Sequence, residues 1–91
     1  MTVNEACNVL HVDDGDNNAL IASLVEAIPS YIETTTGLPE EQQINEPLVD
    51  VVSGFLVTQW YYGDHADDRS LTRTITALLK AISLRARSYA E

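Results

Sequence analysis

The acidic turn from Asp13 to Asn18, with the sequence DDGDNN, is the stretch most suggestive of metal chemistry. A calcium loop needs oxygen ligands at alternating positions, a glycine at position six and a bidentate carboxylate at position twelve. Counted from Asp14, Ala19 occupies the glycine position and Val25 the carboxylate position, so the match fails. We therefore predict a turn that caps a helix, with at most a weak adventitious cation site, and we expect no structural metal.

The other reactive residue types are isolated in the sequence. His11 and His65 have no cysteine or carboxylate at zinc-ligand spacing, and we predict that both are ordinary surface or boundary residues. Cys7, the single cysteine, is predicted to be a small core residue in a reducing compartment. The chain has no glycine-rich phosphate loop, no nucleophile elbow and no acid/base pair on one helix face. We therefore expect no cofactor and no enzymatic activity.

The charges are divided unevenly along the chain. The net charge is −9, from 14 acidic and 5 basic residues, and all five basic residues follow position 68. This asymmetry indicates that the C-terminal part contacts an acidic surface of the same chain, of a neighbour or of a nucleic acid. Basic patches interleaved with aromatic residues, which are common in nucleic-acid binders, are missing, and the acidic first part would repel phosphate.

The basic residues also have helical spacing. A last helix is predicted over residues 71–90, with Ser70 as its cap. On this helix, Arg73, Lys80 and Arg87 fall within about 40° of one another, opposite the apolar face. We name these three residues the cation stripe. It has three interpretations: a solvated face that pairs with the acidic body of the same chain, a docking surface for another molecule, or a surface in direct contact with DNA. The apolar face of the helix comprises Leu71, Ile75, Leu78, Leu79, Ile82, Ala86 and Tyr89.

The most readable helix is the second one, which starts at Asp16 or Asn17 and stops at Gly37, a residue suited to the left-handed cap. Pro29 lies inside it and is expected to kink it by removing one backbone hydrogen bond. A polar loop is predicted over residues 37–46. The apolar arc predicted for this helix comprises Leu20, Ile21, Leu24, Val25, Ala27, Ile28, Tyr31 and Ile32.

Two further helices are indicated by residues typical of helix N-termini. Thr2 to Glu5 forms a capping box, which predicts a short helix to about Leu10. A third helix opens at Glu46 or the residue before it, with Pro47 in the first turn. It is apolar nearly all round, which is typical of a helix that is central in its bundle or partly buried by another chain. Its main arc is predicted to comprise Leu48, Val51, Val52, Phe55, Leu56 and Gln59.

These elements predict one domain over residues 1–91, with an all-α fold: a compact bundle of about four helices with a kinked long second helix. A turn over residues 63–68 would lead into the last helix. The longest uncharged run is too short and too polar to span a bilayer. We expect a soluble cytoplasmic protein with no membrane association.

Three motifs occur in an order typical of one protein family. They are residues 19–27 with the pattern ALIxxLVxA, residues 31–37 with the pattern YIExxTG, and Trp60-Tyr61 at the close of the third helix. Together with the short capped helix and the acidic turn, they resemble the small phage head-tail connector proteins, which are also described as possible DNA-packaging proteins. The resemblance covers nearly the whole chain.

The resemblance implies a structural adaptor of a tailed phage or prophage. Family members are largely helical and form a ring of about a dozen copies below the portal, which joins head to tail. The implied partners are other copies of the chain, the portal protein and the tail-side head-completion protein. DNA would pass through the ring without specific binding. The implied location is the head-tail junction of the virion, and the host cytoplasm during assembly.

The interface residues that we predict for this adaptor are the cation stripe (Arg73, Lys80 and Arg87) together with Trp60 and Tyr61. The stripe would face acidic residues of a neighbouring subunit or of the portal. An alternative from another class is a small acidic regulatory or inhibitor protein that mimics DNA and binds a basic partner. A monomeric enzyme is a third possibility and would need a pocket with convergent polar groups, which nothing in the sequence predicts.

Overall fold

Five helices form the part of the chain that the computed structural model describes, which comprises residues 1–13, 15, 17–63 and 69–90, with side chains through residue 87. In these ranges the fold is all-α with no strand, as predicted. The four longer helices match the predicted ones, and one short helix is additional. The helices are α1 (Val3–Leu10), α2 (Asn18–Thr36), α3 (Glu40–Gln43), α4 (Pro47–Tyr62) and α5 (Arg69–Ala90).

Helix α1 begins with the predicted capping box. The Glu5 backbone N–H donates to the Thr2 hydroxyl at 3.1 Å, and the Thr2 N–H donates to the Glu5 carboxylate at 2.9 Å. The hydrogen bond from the Thr2 backbone is the main cause of a pKa of Glu5 below its ordinary value. The helix ends at His11, which adopts the left-handed conformation at φ 59°. Local chemistry therefore sets both ends of α1.

Helix α2 runs through Pro29 as one helix, as predicted. Gly37 takes the left-handed cap at φ 83°, and its N–H donates to the Glu33 carbonyl at 2.8 Å. At the other end Asn17 precedes the helix but makes no capping hydrogen bond with its side chain, contrary to expectation. Its amide Nδ2 donates instead to the Tyr61 hydroxyl at 2.8 Å. The Asn17 side chain thus makes a tertiary contact in place of a cap, and Asp16, the other predicted start, lies outside the described residues.

The apolar arc predicted for α2 is too wide. Its central members are buried and pack in the core, whereas Leu20, with 51% of its surface exposed, Ala27 and Tyr31 lie outside. The reason is that α2 is covered on one side by α4 and α5, so that residues at the margins of the arc remain in solvent. The buried residues of this helix are Ile21, Ile28, Ile32 and Thr36.

The predicted polar loop over residues 37–46 contains the short helix α3, which was not expected. Pro39 precedes it with a fixed φ of −59°, and Glu40 and its neighbour place negative charge at the positive end of the helix. Gln43 holds the turn in place, because its side-chain amide donates to the carbonyls of Pro29 at 2.9 Å and Leu38 at 3.1 Å. The polar composition of this segment predicted a loop, whereas the buried Gln43 amide fixes a short helix there.

The buried face of α4 differs from the predicted arc by one residue. Val52 and Leu56 are buried as predicted. The other buried residues are Val49, Ser53 and Val57 in place of the predicted Leu48, Val51, Phe55 and Gln59, which rotates the buried face by about 100°. Ser53 can enter the core because its hydroxyl donates to the Val49 carbonyl at 2.6 Å. Two residues assigned to the core are consequently turned outward: Val51 is 49% exposed and Phe55 is 36% exposed.

Helix α5 closes the bundle against α2 and α4. Its predicted apolar face is confirmed, since Ile75, Ile82 and Ala86 are buried and the leucines of that face pack against the core. The side chain of Tyr89 and the turn at residues 64–68 lie outside the described residues. Helix α5 includes Arg69 and Ser70, so it extends two residues before the predicted start at Leu71. The molecule measures 44 × 28 × 18 Å, so it is about two helices thick and leaves apolar residues on its outer faces.

Candidate interaction surfaces

One basic residue of α5 is used within the fold. Arg85 donates to both carboxylate oxygens of Glu46, at 3.1 and 3.3 Å. The Glu46 side chain is fully buried, whereas that of Arg85 is 56% exposed. The same carboxylate caps α4 by accepting the Leu48 N–H at 3.2 Å. The pair joins the start of α4 to the end of α5, and it is the ion pair found among the described residues.

The cation stripe has a different environment. Arg73, Lys80 and Arg87 are exposed, and the described part of the chain offers none of them a carboxylate at ion-pair distance. Among the described residues, the basic residue of α5 that pairs with the body of the chain is thus Arg85, which lies outside the stripe. The interpretations of the stripe itself stay predictions. An apolar residue, Leu84, lies within the stripe, because it follows Lys80 by four residues, and it is 56% exposed.

An apolar groove of about 520 Å³ lies between α1, α4 and the start of α5. Its walls include Val51 and Phe55, the two outward-facing residues of α4 that the sequence had assigned to the core. We name it the α4 groove. Asp50 is the one charged residue that lines it among the described residues. The residues that line it are Val9, Asp50, Val51, Gly54, Phe55, Thr58 and Leu71.

Trp60 and Tyr61, which were predicted at an interface, take part in contacts within the chain. The Trp60 ring packs edge-on against Tyr31 with centroids 5.2 Å apart, and the Tyr61 hydroxyl accepts the hydrogen bond from Asn17. Both residues are partly buried against the core. Next to them, the Tyr62 hydroxyl donates to the Leu10 carbonyl at 2.7 Å. These aromatic residues fasten the end of α4 to α1 and α2, so their interface role stays a prediction.

The residues with reactive side chains lie apart from one another. Cys7 is buried in the core, as predicted, and His11 is exposed at the end of α1. No group of three or more histidine, cysteine or acidic residues able to hold a metal ion occurs among the residues that the structure describes. Asp14, Asp16 and His65 lie outside those residues. A second cavity, of about 280 Å³, is lined by α2, α3 and α4 residues such as Gln43, whose amide is already bonded.

No described helix combines the length and the apolar character that crossing a membrane requires. Comparison of the chain with protein families, curated proteins and solved structures finds no match.

Sequence reasoning located the cation stripe but missed the α4 groove and Leu84. One signal for the groove was present, because a helix that is apolar nearly all round has more apolar surface than one bundle can cover. The signal for Leu84 was its spacing, four residues after Lys80 and three before Arg87, which places an apolar side chain among the cations.

Proposed function

We propose that this protein is a structural adaptor subunit that assembles with copies of itself into a closed ring, as the resemblance to phage head-tail connectors implies. The observation that carries the proposal is the cation stripe, which is exposed on α5 and has no carboxylate partner in the described part of its own chain. Three cations on a chain with a net charge of −9 are suited to an acidic neighbour.

A ring requires contacts between two different surfaces of the same subunit. The charge distribution supports this kind of contact, since the basic residues are confined to α5 while the helices before it are acidic. A second copy therefore offers the stripe an opposite charge. Two identical stripes that faced each other would repel, which disfavours a twofold dimer through this surface.

The further partners in this proposal are the portal protein on the head side and a head-completion protein on the tail side, at the head-tail junction of a virion. An acidic ring suits a conduit for DNA, because negative side chains along the channel repel phosphate and prevent the DNA from adhering. In this role the protein has no catalytic step and needs no cofactor.

The experiment is a comparison of two variants with the same net charge. Arg73→Gln with Lys80→Gln removes two positive charges from the stripe. Ser23→Glu with Ser30→Glu adds two negative charges to exposed positions of α2. If the stripe is an interface, the first variant loses higher assemblies in sedimentation velocity and the second retains them. Equal behaviour of the two variants would contradict a specific role of the stripe.

The acidic-inhibitor alternative makes an opposite prediction in the same experiment. In that case the wild type stays monomeric at every concentration, and it binds a basic nucleic-acid enzyme in a salt-sensitive manner.

A further inference from the structure

We propose that the α4 groove receives the outer face of α5 from the next copy of the chain, with Leu84 inserted between Val51 and Phe55. This inference rests on the proposed self-assembly and names the two surfaces that meet. The α4 groove is an open apolar depression, and Leu84 is an exposed aliphatic side chain that the fold of its own chain does not bury. Helices commonly dock by laying such a residue into an apolar groove.

The charges of the two surfaces are complementary. Lys80 and Arg87 flank Leu84 along one face of α5, four residues before it and three after it. Asp50 lines the α4 groove, and the helices α1 and α4 that build most of it carry no basic residue. A cationic helix face with an apolar centre therefore meets an apolar groove with an acidic edge. This match favours a second copy over an acidic partner, which Asp50 would repel.

The two surfaces lie on different sides of one subunit. Leu71 lines the α4 groove, and Leu84 follows it by thirteen residues on the same helix. Thirteen residues correspond to about 20 Å along the axis and to about 140° around it. A chain therefore cannot insert Leu84 into its own groove. A contact between such separate surfaces repeats from copy to copy, and it closes into a ring when the rotation between neighbours allows.

The experiment uses two single-cysteine additions to the full chain, Phe55→Cys and Leu84→Cys, mixed and treated with a short bis-maleimide crosslinker. Cys7 is buried and stays in place, and the wild type reports its background. The control replaces Leu84→Cys by Leu20→Cys, an exposed leucine of similar exposure on α2. We expect crosslinked dimers to be at least about tenfold more abundant in the Phe55/Leu84 mixture than in the control.

A second pair of variants tests the charges of the contact and leaves the apolar residues of the groove and Leu84 in place. Asp50→Lys alone and Lys80→Asp alone each place like charges in contact and should lose assembly. Mixed, the two chains should recover it, because each groove then meets a face of opposite charge. Recovery would also show that both variants are folded.

The possible outcomes separate this inference from the proposed function. A ring in the wild type, without the Phe55/Leu84 crosslink and without recovery in the mixed charge variants, overturns the inference and leaves the adaptor intact. The crosslink with open chains but no closed ring supports the inference and contradicts the ring. Crosslinks between two Phe55→Cys chains would show groove-to-groove pairing and would overturn the inference.

Discussion

The inner and outer faces of α4 differ in what their apolar residues do for the protein. On the inner face, Val52, Leu56 and Val57 are fully buried and form the centre of the core. On the outer face, Val51 and Phe55 are equally apolar but line an open groove. Burial stabilises the fold more through the inner residues, because Val51 and Phe55 keep 49% and 36% of their surface in solvent. Apolar surface that the fold leaves uncovered is therefore the better indicator of a contact with another molecule.

The basic residues of α5 show the same division. Arg85 is bound to the buried carboxylate of Glu46, whereas Lys80 and Arg87, on neighbouring turns, have no carboxylate partner in the described ranges. A charge that compensates a buried opposite charge is part of the fold. An exposed charge without such a partner contributes little to stability and is free to act in binding.

The largest expected effect comes from leucine truncation on the two kinds of face. Leu56→Ala should lower the free energy of unfolding by about 2–5 kcal/mol, because it leaves a cavity in the core. Leu84→Ala should change it by less than about 0.5 kcal/mol, since the side chain is largely in solvent. Urea unfolding at low protein concentration, where assembly does not contribute, measures both. Equal losses would remove the distinction between the faces.

The second prediction compares two arginines that lie two residues apart. Arg85→Ala should cost about 1–3 kcal/mol, because the buried Glu46 carboxylate loses its charged partner while Arg85 itself is partly solvated. Arg87→Ala should stay within about 0.5 kcal/mol in stability and should weaken assembly instead. Thermal unfolding and sedimentation velocity on the same samples give the two readings. The account is contradicted if Arg87→Ala is the more destabilising of the two.

The third prediction concerns salt. Raising the ionic strength from about 0.01 to about 0.15 M shortens the screening length from about 30 to about 8 Å, which weakens contacts between exposed charges. Such contacts are worth about 0–1 kcal/mol each, so each should change association of the wild type by no more than about fivefold. The Arg73→Gln, Lys80→Gln variant should respond less. Sedimentation velocity at the two salt concentrations measures association of both proteins. An equal loss of association in the wild type and the variant would exclude the stripe as the source of the salt dependence.

The smallest effect is expected at the capping box. The folded pKa of Glu5 is lowered from its ordinary value of 4.5, so its ionised form stabilises α1 above that pH. This contribution is lost as the pH falls through the lowered folded value. The stability difference between the wild type and Glu5→Gln should therefore shrink towards acid pH. Amide hydrogen exchange of α1 measures this difference, and a gap that widens in acid would show that the sign is wrong.

Helix ends were predictable from the sequence because their chemistry is local. The capping box at Thr2, the left-handed Gly37 and Pro47 in the first turn of α4 each act on backbone groups within four residues. The spacing on α5 also distinguished its buried face from its exposed cations, since apolar and polar residues lie on opposite faces of that helix.

Long-range choices were not predictable in the same way. Helix α4 is apolar nearly all round, so it has no polar face from which the periodicity could identify the buried side. The predicted buried face was therefore displaced by one residue from the observed one. Glu46 and Arg85 are 39 residues apart, and nothing local indicates that this arginine, and not those of the stripe, is paired. The α4 groove was missed for both reasons, because its position depends on which face of α4 is buried and on where α5 packs.

Native mass spectrometry of the purified wild type at low and at moderate salt tests the central claim most directly. The account predicts a discrete closed assembly of about a dozen copies that becomes less abundant as salt rises. A monomer at every concentration and at both salt concentrations would contradict the self-assembling adaptor.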